Sequence, residues 1–132
     1  MKKEKCILFL DDEKTVLDSL KAQLKKRFGD EFVLEMAESA DEAMEVLGEL
    51  VEDGLDVLVV VSDWLMPGMK GDEFLIQLHK KHPQIVKILL TGQADQDAVE
   101  RAIREANLHK CLSKPWDEEE LIHTIETGLN LV

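Results

Sequence analysis

The most informative stretch of this chain is DVLVVVSDWLMPGMKGDEF, at residues 56–74. Its apolar run at 57–61 is continuous rather than alternating, which is typical of a strand that is covered on both faces. The run leads into Asp63, and the Met-Pro-Gly sequence at 66–68 then signals a turn. The stretch therefore predicts a buried strand with a carboxylate at its carboxyl end.

Outward from this stretch, short apolar runs alternate with amphipathic segments. The runs lie at 6–10, 32–37, 57–61, 86–90 and about 108–112. The amphipathic segments carry apolar residues at helical spacing: Leu17, Leu20, Leu24 and Phe28; Ala40, Ala43, Met44, Leu47 and Leu50; Phe74, Leu75 and Leu78; Ala98, Val99, Ala102, Ile103 and Ala106; Leu121, Ile122, Ile125 and Leu129. Five consecutive strand–helix units predict an α/β fold in which helices cover both faces of a parallel sheet.

Length and composition favour one globular domain. The 132 residues are enough for a single core, and 45% hydrophobic with 33% charged residues is a normal globular balance. The chain has 28 acidic and 16 basic residues, which give a formal net charge of −12. This charge argues against direct binding of nucleic acid, which is a polyanion. It suits a cation such as Mg²⁺ or a basic partner, and it equally suits solubility alone.

The amino-terminal sequence and the cysteines favour a cytoplasmic location without membrane attachment. In MKKEKCILFLDD, at residues 1–12, an apolar stretch follows basic residues, but it is too short for a signal peptide. The longest apolar run is also far short of a membrane span. Cys6 and Cys111 lack metal-ligand spacing, and we expect both to be reduced thiols on buried strands.

Polar residues stand at the carboxyl ends of four predicted strands. They are Asp11 and Asp12 after the first, Asp63 after the third, Thr91 after the fourth and Lys114 after the fifth. Ligands of doubly wound sheets bind beyond these ends, so these residues form the candidate site. If the first and third strands are neighbours, three carboxylates crowd one pocket, and their pKa values would rise unless a cation compensates. Mg²⁺, which prefers oxygen ligands, is the cation we expect.

This set of residues fits phosphoryl transfer. A carboxylate beside Mg²⁺ and a lysine can act as a nucleophile toward a phosphoryl group, which gives an aspartyl phosphate. Lys114 would neutralise one phosphoryl oxygen and the Thr91 hydroxyl would donate to another. Each residue alone is commonly a turn or capping residue. Their occurrence in order, at the ends of different predicted strands, favours the phosphoryl-transfer interpretation.

Four motifs extend this interpretation to a family. They are FLDDE at 9–13, VSDWLMPGMKG at 61–71, LLTG at 89–92 and LSKPW at 112–116. With them the chain resembles a response regulator receiver domain of two-component signal transduction over roughly residues 4–130. The resemblance implies a doubly wound, flavodoxin-like fold with five parallel strands in the order 2-1-3-4-5 and five helices.

The resemblance also implies roles and partners. Asp63 would accept a phosphoryl group from the phosphohistidine of a sensor histidine kinase or a histidine phosphotransfer protein. The other implied roles are Mg²⁺ ligands (Asp11, Asp12, Asp63 and the backbone carbonyl of Leu65), phosphoryl contacts (Thr91 and Lys114) and a cis peptide bond before Pro115. The chain would then be a signalling phosphoacceptor rather than a turnover enzyme.

The chain departs from the family pattern near the site. Many family members carry an aromatic switch residue where this chain has Cys111. Either a smaller group couples by packing, or His109 or Trp116 takes a related part, or no side-chain flip exists. Leu65 and Gln93 flank the phosphoryl position, and the apolar Leu65 cannot orient an attacking water. We therefore expect a phosphoryl group that lasts many minutes or more.

The signal is expected to leave through the fourth helix, the fifth strand and the fifth helix. Arg101, Arg104, His109 and Lys110 would form a locally basic patch there, and a merely solvated face is an equal alternative. This face would bind an output domain or a partner protein, and it allows a phosphorylation-dependent homodimer. Residues 1–132 would be a receiver domain that stands alone or forms the amino-terminal part of a longer regulator, ahead of a phosphohydrolase-type or transcriptional output domain.

Two other functions compete with the phosphoacceptor switch. A degenerate receiver would act only as a docking module, although the acidic residues, Thr91 and Lys114 are all retained. A Mg²⁺-dependent phosphatase of the haloacid-dehalogenase kind would need an aspartate two residues after its nucleophile. Glu13 stands in that position after Asp11, and the chain has no room for a substrate cap.

Overall fold

The computed structural model describes residues 4–92 and 96–131. Within these residues there are five strands: β1 (Lys5–Leu10), β2 (Val33–Ala37), β3 (Asp56–Asp63), β4 (Val86–Thr91) and β5 (Lys110–Ser113). Five helices connect and follow them: α1 (Lys14–Phe28), α2 (Ala40–Glu52), α3 (Gly71–Lys81), α4 (Gln96–Ala106) and α5 (Glu118–Leu129). The strands are parallel and lie in the order β2-β1-β3-β4-β5. The predicted fold and strand order are therefore confirmed.

Two apolar cores lie on opposite faces of the sheet. On one face, α1 and α5 bury Leu20, Leu24 and Ile125 against alternate strand residues such as Phe9. On the other face, α2, α3 and α4 pack against the intervening strand residues, among them Leu8. Because both faces are covered, strands such as β3 are apolar on successive residues rather than on alternate ones.

Helix α4 differs from its predicted buried face. Ala102 and Ala106 are fully buried and Val99 is half-buried, but Ile103 is 53% exposed. The prediction that Ile103 belongs to the buried face is therefore wrong. The buried stripe of α4 is narrow because it consists of small residues four positions apart, and Ile103 lies about 100° around the helix from Ala102.

The fifth strand begins later than predicted, at Lys110 rather than near residue 108. Asn107 has a left-handed φ of 52°, and Leu108 N donates to the Ala102 carbonyl. These features close the end of α4, so that Leu108 reaches the core from a turn. Burial alone made this segment resemble a strand.

The described residues add two observations on class and redox state. None of the helices in the described ranges combines the length and the hydrophobicity that crossing a bilayer requires. Cys6 and Cys111 are free thiols, Cys6 buried in β1 and Cys111 half-buried in β5. Burial raises the pKa of both thiols, that of Cys6 to about 12, so neither is an activated nucleophile.

Candidate functional site

Three carboxylates meet at the carboxyl edge of the sheet. Asp11 and Asp12 directly follow β1, Asp63 ends β3, and the two strands are neighbours that pair Leu10 with Ser62. Asp11, Asp12 and Asp63 each offer a ligand oxygen, and these oxygens lie within 4.8 Å of one another. Asp11 and Asp63 are buried, whereas Asp12 is exposed to solvent. The predicted crowding of acids is present in the structure.

Lys114 joins two of these acids. Its Nζ donates to Asp11 Oδ2 at 2.8 Å and to Asp63 Oδ1 at 3.0 Å. The other oxygen of Asp11 accepts from the backbone N–H of Glu13 at 2.8 Å, which fixes that carboxylate at the start of the first crossover. One ammonium group thus bridges the ends of β1 and β3 from the loop after β5.

The electrostatics of the pocket favour a further cation. Burial raises the pKa of Asp63, and the charges of Asp11 and Asp12 raise it further against the hydrogen bond from Lys114. Burial alone would lower the pKa of Lys114, but its hydrogen bonds to Asp11 and Asp63 and their charges raise it. One ammonium cannot balance three carboxylates. Their oxygens are the hard ligands that Mg²⁺ prefers, so the residues present fit a Mg²⁺ site.

The backbone around Asp63 is held by the neighbouring strand and helix. Trp64 N donates to the Leu90 carbonyl at 2.9 Å, and Gly71 N donates to the Trp64 carbonyl at 2.8 Å. A Cβ built on Gly71 would lie 2.0 Å from the Asp63 carbonyl oxygen. Only glycine permits this approach, so Gly71 sets how closely the start of α3 packs on the end of β3.

Thr91 and Lys114 lie at the same sheet edge. Thr91 ends β4, pairs with Ser113 across the sheet, and accepts from Lys114 N through its carbonyl oxygen at 2.9 Å. The Lys114–Pro115 peptide bond is cis. Gln93, the second residue assigned to dephosphorylation, lies outside the described residues.

The carboxylates open into a cleft of about 720 Å³. Its lining includes Asp12, Asp63, Leu65, Gly92 and Lys114. The Leu65 side chain is 60% exposed at the rim of this cleft. A larger cavity of about 870 Å³ lies at the opposite, amino end of the strands, but no described carboxylate cluster with metal-site spacing lies there. The acidic cleft is therefore the candidate site.

The residues considered for the switch lie in different places. Cys111 packs against the core beneath α2, α3 and α4. Trp116 donates through Nε1 to Gln23 on α1 at 2.8 Å. His109 Nε2 lies 2.9 Å from the Thr127 hydroxyl on α5. Because Trp116 and His109 face other helices, the structure favours packing of Cys111 itself or the absence of a flip.

The expected output face carries fewer unpaired charges than its sequence suggests. Arg101 is exposed and forms an ion pair with Glu105 at 3.1 Å, one turn along α4. Arg104 and Lys110 are exposed, whereas His109 is half-buried. Among the described residues, only Arg104 and Lys110 of the four remain as exposed cations without a carboxylate within 4.0 Å.

Comparison with known proteins identifies the family. A family model described as response regulator receiver domain matches residues 7–126. The chain belongs to this family. Its acidic cleft lies at the switch point of a doubly wound sheet, as expected for the fold.

Relatives and solved structures of receivers agree with this family. The chain is 32% identical over 127 residues to the hydrogenase transcriptional regulatory protein HoxA of Cupriavidus necator. That alignment covers 96% of this chain and 24% of HoxA, so this receiver spans about a quarter of that relative. The signal receiver domain of an HD domain-containing protein from Pseudomonas fluorescens superimposes with a TM-score of 0.85 and 29% identity, over 98% of this chain and 96% of that one. The beryllofluoride-activated NtrC4 receiver domain dimer has a TM-score of 0.80 and 27% identity, over 96% of both chains.

Sequence reasoning missed three residues of this receiver that lie around the backbone of Asp63: Trp64, Gly71 and Asp72. Gly71 and Trp64 occur in the sequence analysis only as letters of the motif at 61–71, and Asp72 directly follows that motif. Trp64 Nε1 donates to Asp72 Oδ1 at 3.0 Å. The available signal was the position of Gly71, which ends the loop and begins α3.

Proposed function

We propose that this receiver accepts a phosphoryl group on Asp63 from the phosphohistidine of a sensor histidine kinase or a histidine phosphotransfer protein. The step depends on Mg²⁺ and serves as a switch rather than as turnover catalysis. The observation that carries this proposal is the bridge from Lys114 to Asp11 and Asp63 within a cluster of three carboxylates.

Asp11, Asp12, Asp63 and the backbone carbonyl of Leu65 would hold the Mg²⁺ ion. When bound, the ion supplies charge neutralisation for the acceptor carboxylate and the incoming phosphoryl oxygens. Asp12, the exposed member, is the most accessible ligand, and the buried Asp11 is held by Lys114 and by the backbone of Glu13.

The protein groups supply nucleophile and charge. Lys114 binds Oδ1 of Asp63, and no described donor bonds to Oδ2, so Oδ2 is available for attack. Oδ2 forms a bond to phosphorus as the bond from phosphorus to the donor imidazole nitrogen breaks, and that nitrogen keeps the electron pair and takes up a proton. Lys114 then neutralises a phosphoryl oxygen, and the Thr91 hydroxyl donates to another.

The switch would act on the face formed by α4, β5 and α5. Movement of Thr91 toward the phosphoryl group would allow Cys111 on the neighbouring strand and α4 to repack, which biases two states of that face. Arg104 and Lys110, two exposed cations of this face, would meet an output domain or a partner protein. The dimeric NtrC4 receiver supports a phosphorylation-dependent homodimer.

The chain would be a cytoplasmic receiver domain of a longer regulator. HoxA, which contains a matching region in about a quarter of its length, is a transcriptional regulatory protein and supports an output of that kind. Leu65, an exposed apolar side chain at the rim of the cleft, would leave an attacking water without a polar partner. This favours a phosphoryl group that lasts many minutes or more.

Intact mass spectrometry after incubation with acetyl phosphate and Mg²⁺ tests the proposal. We expect one phosphoryl adduct on the parent chain and none on Asp63→Asn, which removes the nucleophilic carboxylate and keeps the size of the side chain. Omission of Mg²⁺ should prevent the adduct. An adduct that persists in Asp63→Asn would contradict the assignment of the acceptor.

A degenerate receiver that only docks partners is the second candidate. Its supporting result would be the absence of an adduct, together with no change in the protein when beryllofluoride and Mg²⁺ are added. Retention of the whole acidic cluster and of Lys114 favours the phosphoacceptor. The comparisons give no support for the haloacid-dehalogenase alternative.

A further inference from the structure

The loop at 65–70 connects the end of β3 to the start of α3. The two ends of this loop approach each other closely at a narrow neck, which we define as Asp63, Trp64, Gly71 and Asp72. One backbone hydrogen bond crosses the neck, from Gly71 N to the Trp64 carbonyl at 2.8 Å. The backbones are in direct contact there, since a Cβ on Gly71 would lie 2.0 Å from the Asp63 carbonyl oxygen. The neck therefore joins the acceptor residue to the first turn of α3.

A side-chain hydrogen bond also crosses the neck. Trp64 Nε1 donates to Asp72 Oδ1 at 3.0 Å. Asp72 is 7% exposed and lies in the first turn of α3, where the free backbone N–H groups favour a carboxylate. The Lys70 ammonium lies 5.0 Å from the centroid of the Trp64 ring, in a cation–π contact. A hydrogen bond to a buried charged acceptor is among the stronger ones in proteins, so it restrains the Trp64 side chain.

Leu65 directly follows the restrained Trp64. Its side chain is 60% exposed and makes little packing contact that could fix its own backbone. Leu65 instead lies between two anchors, Trp64 at the neck and Met66, which is 4% exposed. The position of the Leu65 carbonyl is thus set by how its two neighbours are held.

We propose that the Trp64–Asp72 hydrogen bond is a positioning contact that holds the Leu65 carbonyl and the Asp63 carboxylate in the arrangement that binds Mg²⁺. The proposal rests on the proposed function, because it takes both groups as ligands. Trp64 and Asp72 do not contact the ion. They act through the backbone of the neck, as outer partners of metal ligands commonly do.

A calorimetric titration of the chain with Mg²⁺, in the absence of a phosphodonor, tests this contact. Trp64→Phe removes the indole N–H and keeps an aromatic ring, and Asp72→Ala removes the acceptor. We expect each to weaken Mg²⁺ binding about 10-fold. Asp72→Asn keeps an oxygen acceptor and should bind within about twofold of the parent. The double variant Trp64→Phe, Asp72→Ala should bind no more weakly than either single variant, because both remove the same bond.

Trp116→Phe is the matched control. It also removes one indole hydrogen bond, that of Trp116 Nε1 to Gln23 Oε1 at 2.8 Å, but outside the neck. We expect it to lower the free energy of unfolding without changing Mg²⁺ affinity. Parent-like affinity in Trp64→Phe and Asp72→Ala would overturn the proposal, as would an equal loss of affinity in Trp116→Phe.

Asp12→Asn separates the failure of this proposal from that of the proposed function. We expect the parent chain to bind Mg²⁺ and Asp12→Asn to bind it much more weakly. If the parent chain fails to bind Mg²⁺, or if Asp12→Asn binds it equally well, the ligand set is wrong and both proposals fall. If Asp12→Asn loses affinity and the neck variants do not, only the positioning contact is overturned.

Discussion

Lys87 lies in β4 and Lys114 directly follows β5, and the two ammonium groups have opposite surroundings. Lys114, at the carboxyl end, donates to the carboxylates of Asp11 and Asp63 and is 19% exposed in its side chain. Lys87, in β4, is 1% exposed and donates to the Ile85 carbonyl at 2.7 Å. No described carboxylate lies within 4.0 Å of the Lys87 ammonium.

The pKa values of the two lysines move in opposite directions. Burial disfavours the charged form of both. At Lys114 the two carboxylates outweigh burial and raise the pKa. At Lys87 nothing outweighs it, and burial lowers the pKa to about 8. His79, whose own pKa is lowered by burial and by the Lys87 charge, adds no compensation. The charged form of a buried lysine in this receiver is therefore favoured where acids surround it and disfavoured where only carbonyls do.

The largest effect is expected from Lys114→Met, which removes the cation of the carboxyl end. The rate of adduct formation with acetyl phosphate and Mg²⁺ should fall about 100-fold or more, since a preorganised charge at the phosphoryl group is lost. Mg²⁺ affinity should not fall, because removal of a positive charge leaves the pocket more negative. Time-resolved intact mass measures the rate, and calorimetry measures the affinity.

Lys87→Met makes the same chemical change at the other lysine and serves as the control. Its adduct rate should equal that of the parent, because distant and independent sites do not couple. A comparable loss of rate in both variants would mean that the surroundings of Lys87 and of Lys114 are coupled.

The second effect concerns the pH dependence of stability. The native pKa of Lys87, about 8, lies below the ordinary lysine value of 10.5, so the unfolded chain binds more protons between these values. The contribution of Lys87 to stability is therefore least favourable below pH 8 and rises as pH increases toward 10.5. Relative to that of Lys87→Met, the free energy of unfolding of the parent should rise by about 2–3 kcal/mol between pH 7 and pH 10. Urea unfolding at both pH values measures it.

Lys87→Arg sharpens this test. A guanidinium group stays charged across the range, so the variant should lack the pH-dependent recovery of the parent. Parallel pH profiles for the parent and Lys87→Met would show that the ammonium is not desolvated in the native state.

The sequence predicted the acidic site around Lys114 because the residues of that site follow a simple geometric rule. The carboxyl ends of parallel strands meet at one edge, so Asp11, Asp12, Asp63 and Lys114 could be grouped without coordinates. This rule requires only the positions of the strand ends, and for that reason it tolerates errors of one or two residues.

The buried face of α4 follows no such rule. The prediction for Ile103 is wrong because the buried stripe of small alanines is narrower than the apolar pattern of α4.

The surroundings of Lys87 and the contacts of the neck could not be predicted in this way. Lys87 lies inside the apolar run at 86–90, where its long aliphatic stem packs as a hydrophobic residue would. Its environment depends on a carbonyl two residues away, which no pattern of side chains encodes. The Trp64–Asp72 hydrogen bond likewise depends on the tertiary approach that Gly71 permits.

Gly71→Ala should have a smaller effect than the loss of Lys114 or the pH dependence of Lys87. It should disturb only the site that contains Asp63 and Lys114. The added Cβ would lie 2.0 Å from the Asp63 carbonyl oxygen, so the backbone of the neck must shift. We expect the free energy of unfolding to fall by about 1–3 kcal/mol, as overpacking does, together with a slower adduct rate. The pH dependence that Lys87 contributes should be unchanged. Urea unfolding at pH 7 and pH 10 and the adduct assay measure the three quantities.

Gly48→Ala provides the matched control, because a Cβ at Gly48 meets nothing within 4 Å and the residue lies inside α2. There the same substitution should stabilise the chain by roughly 0.5–1 kcal/mol through helix propensity. Opposite signs for the two alanines would assign the cost at Gly71 to the neck rather than to the loss of a glycine. Equal effects of the two substitutions would show that Gly71 has no specific role in positioning Asp63.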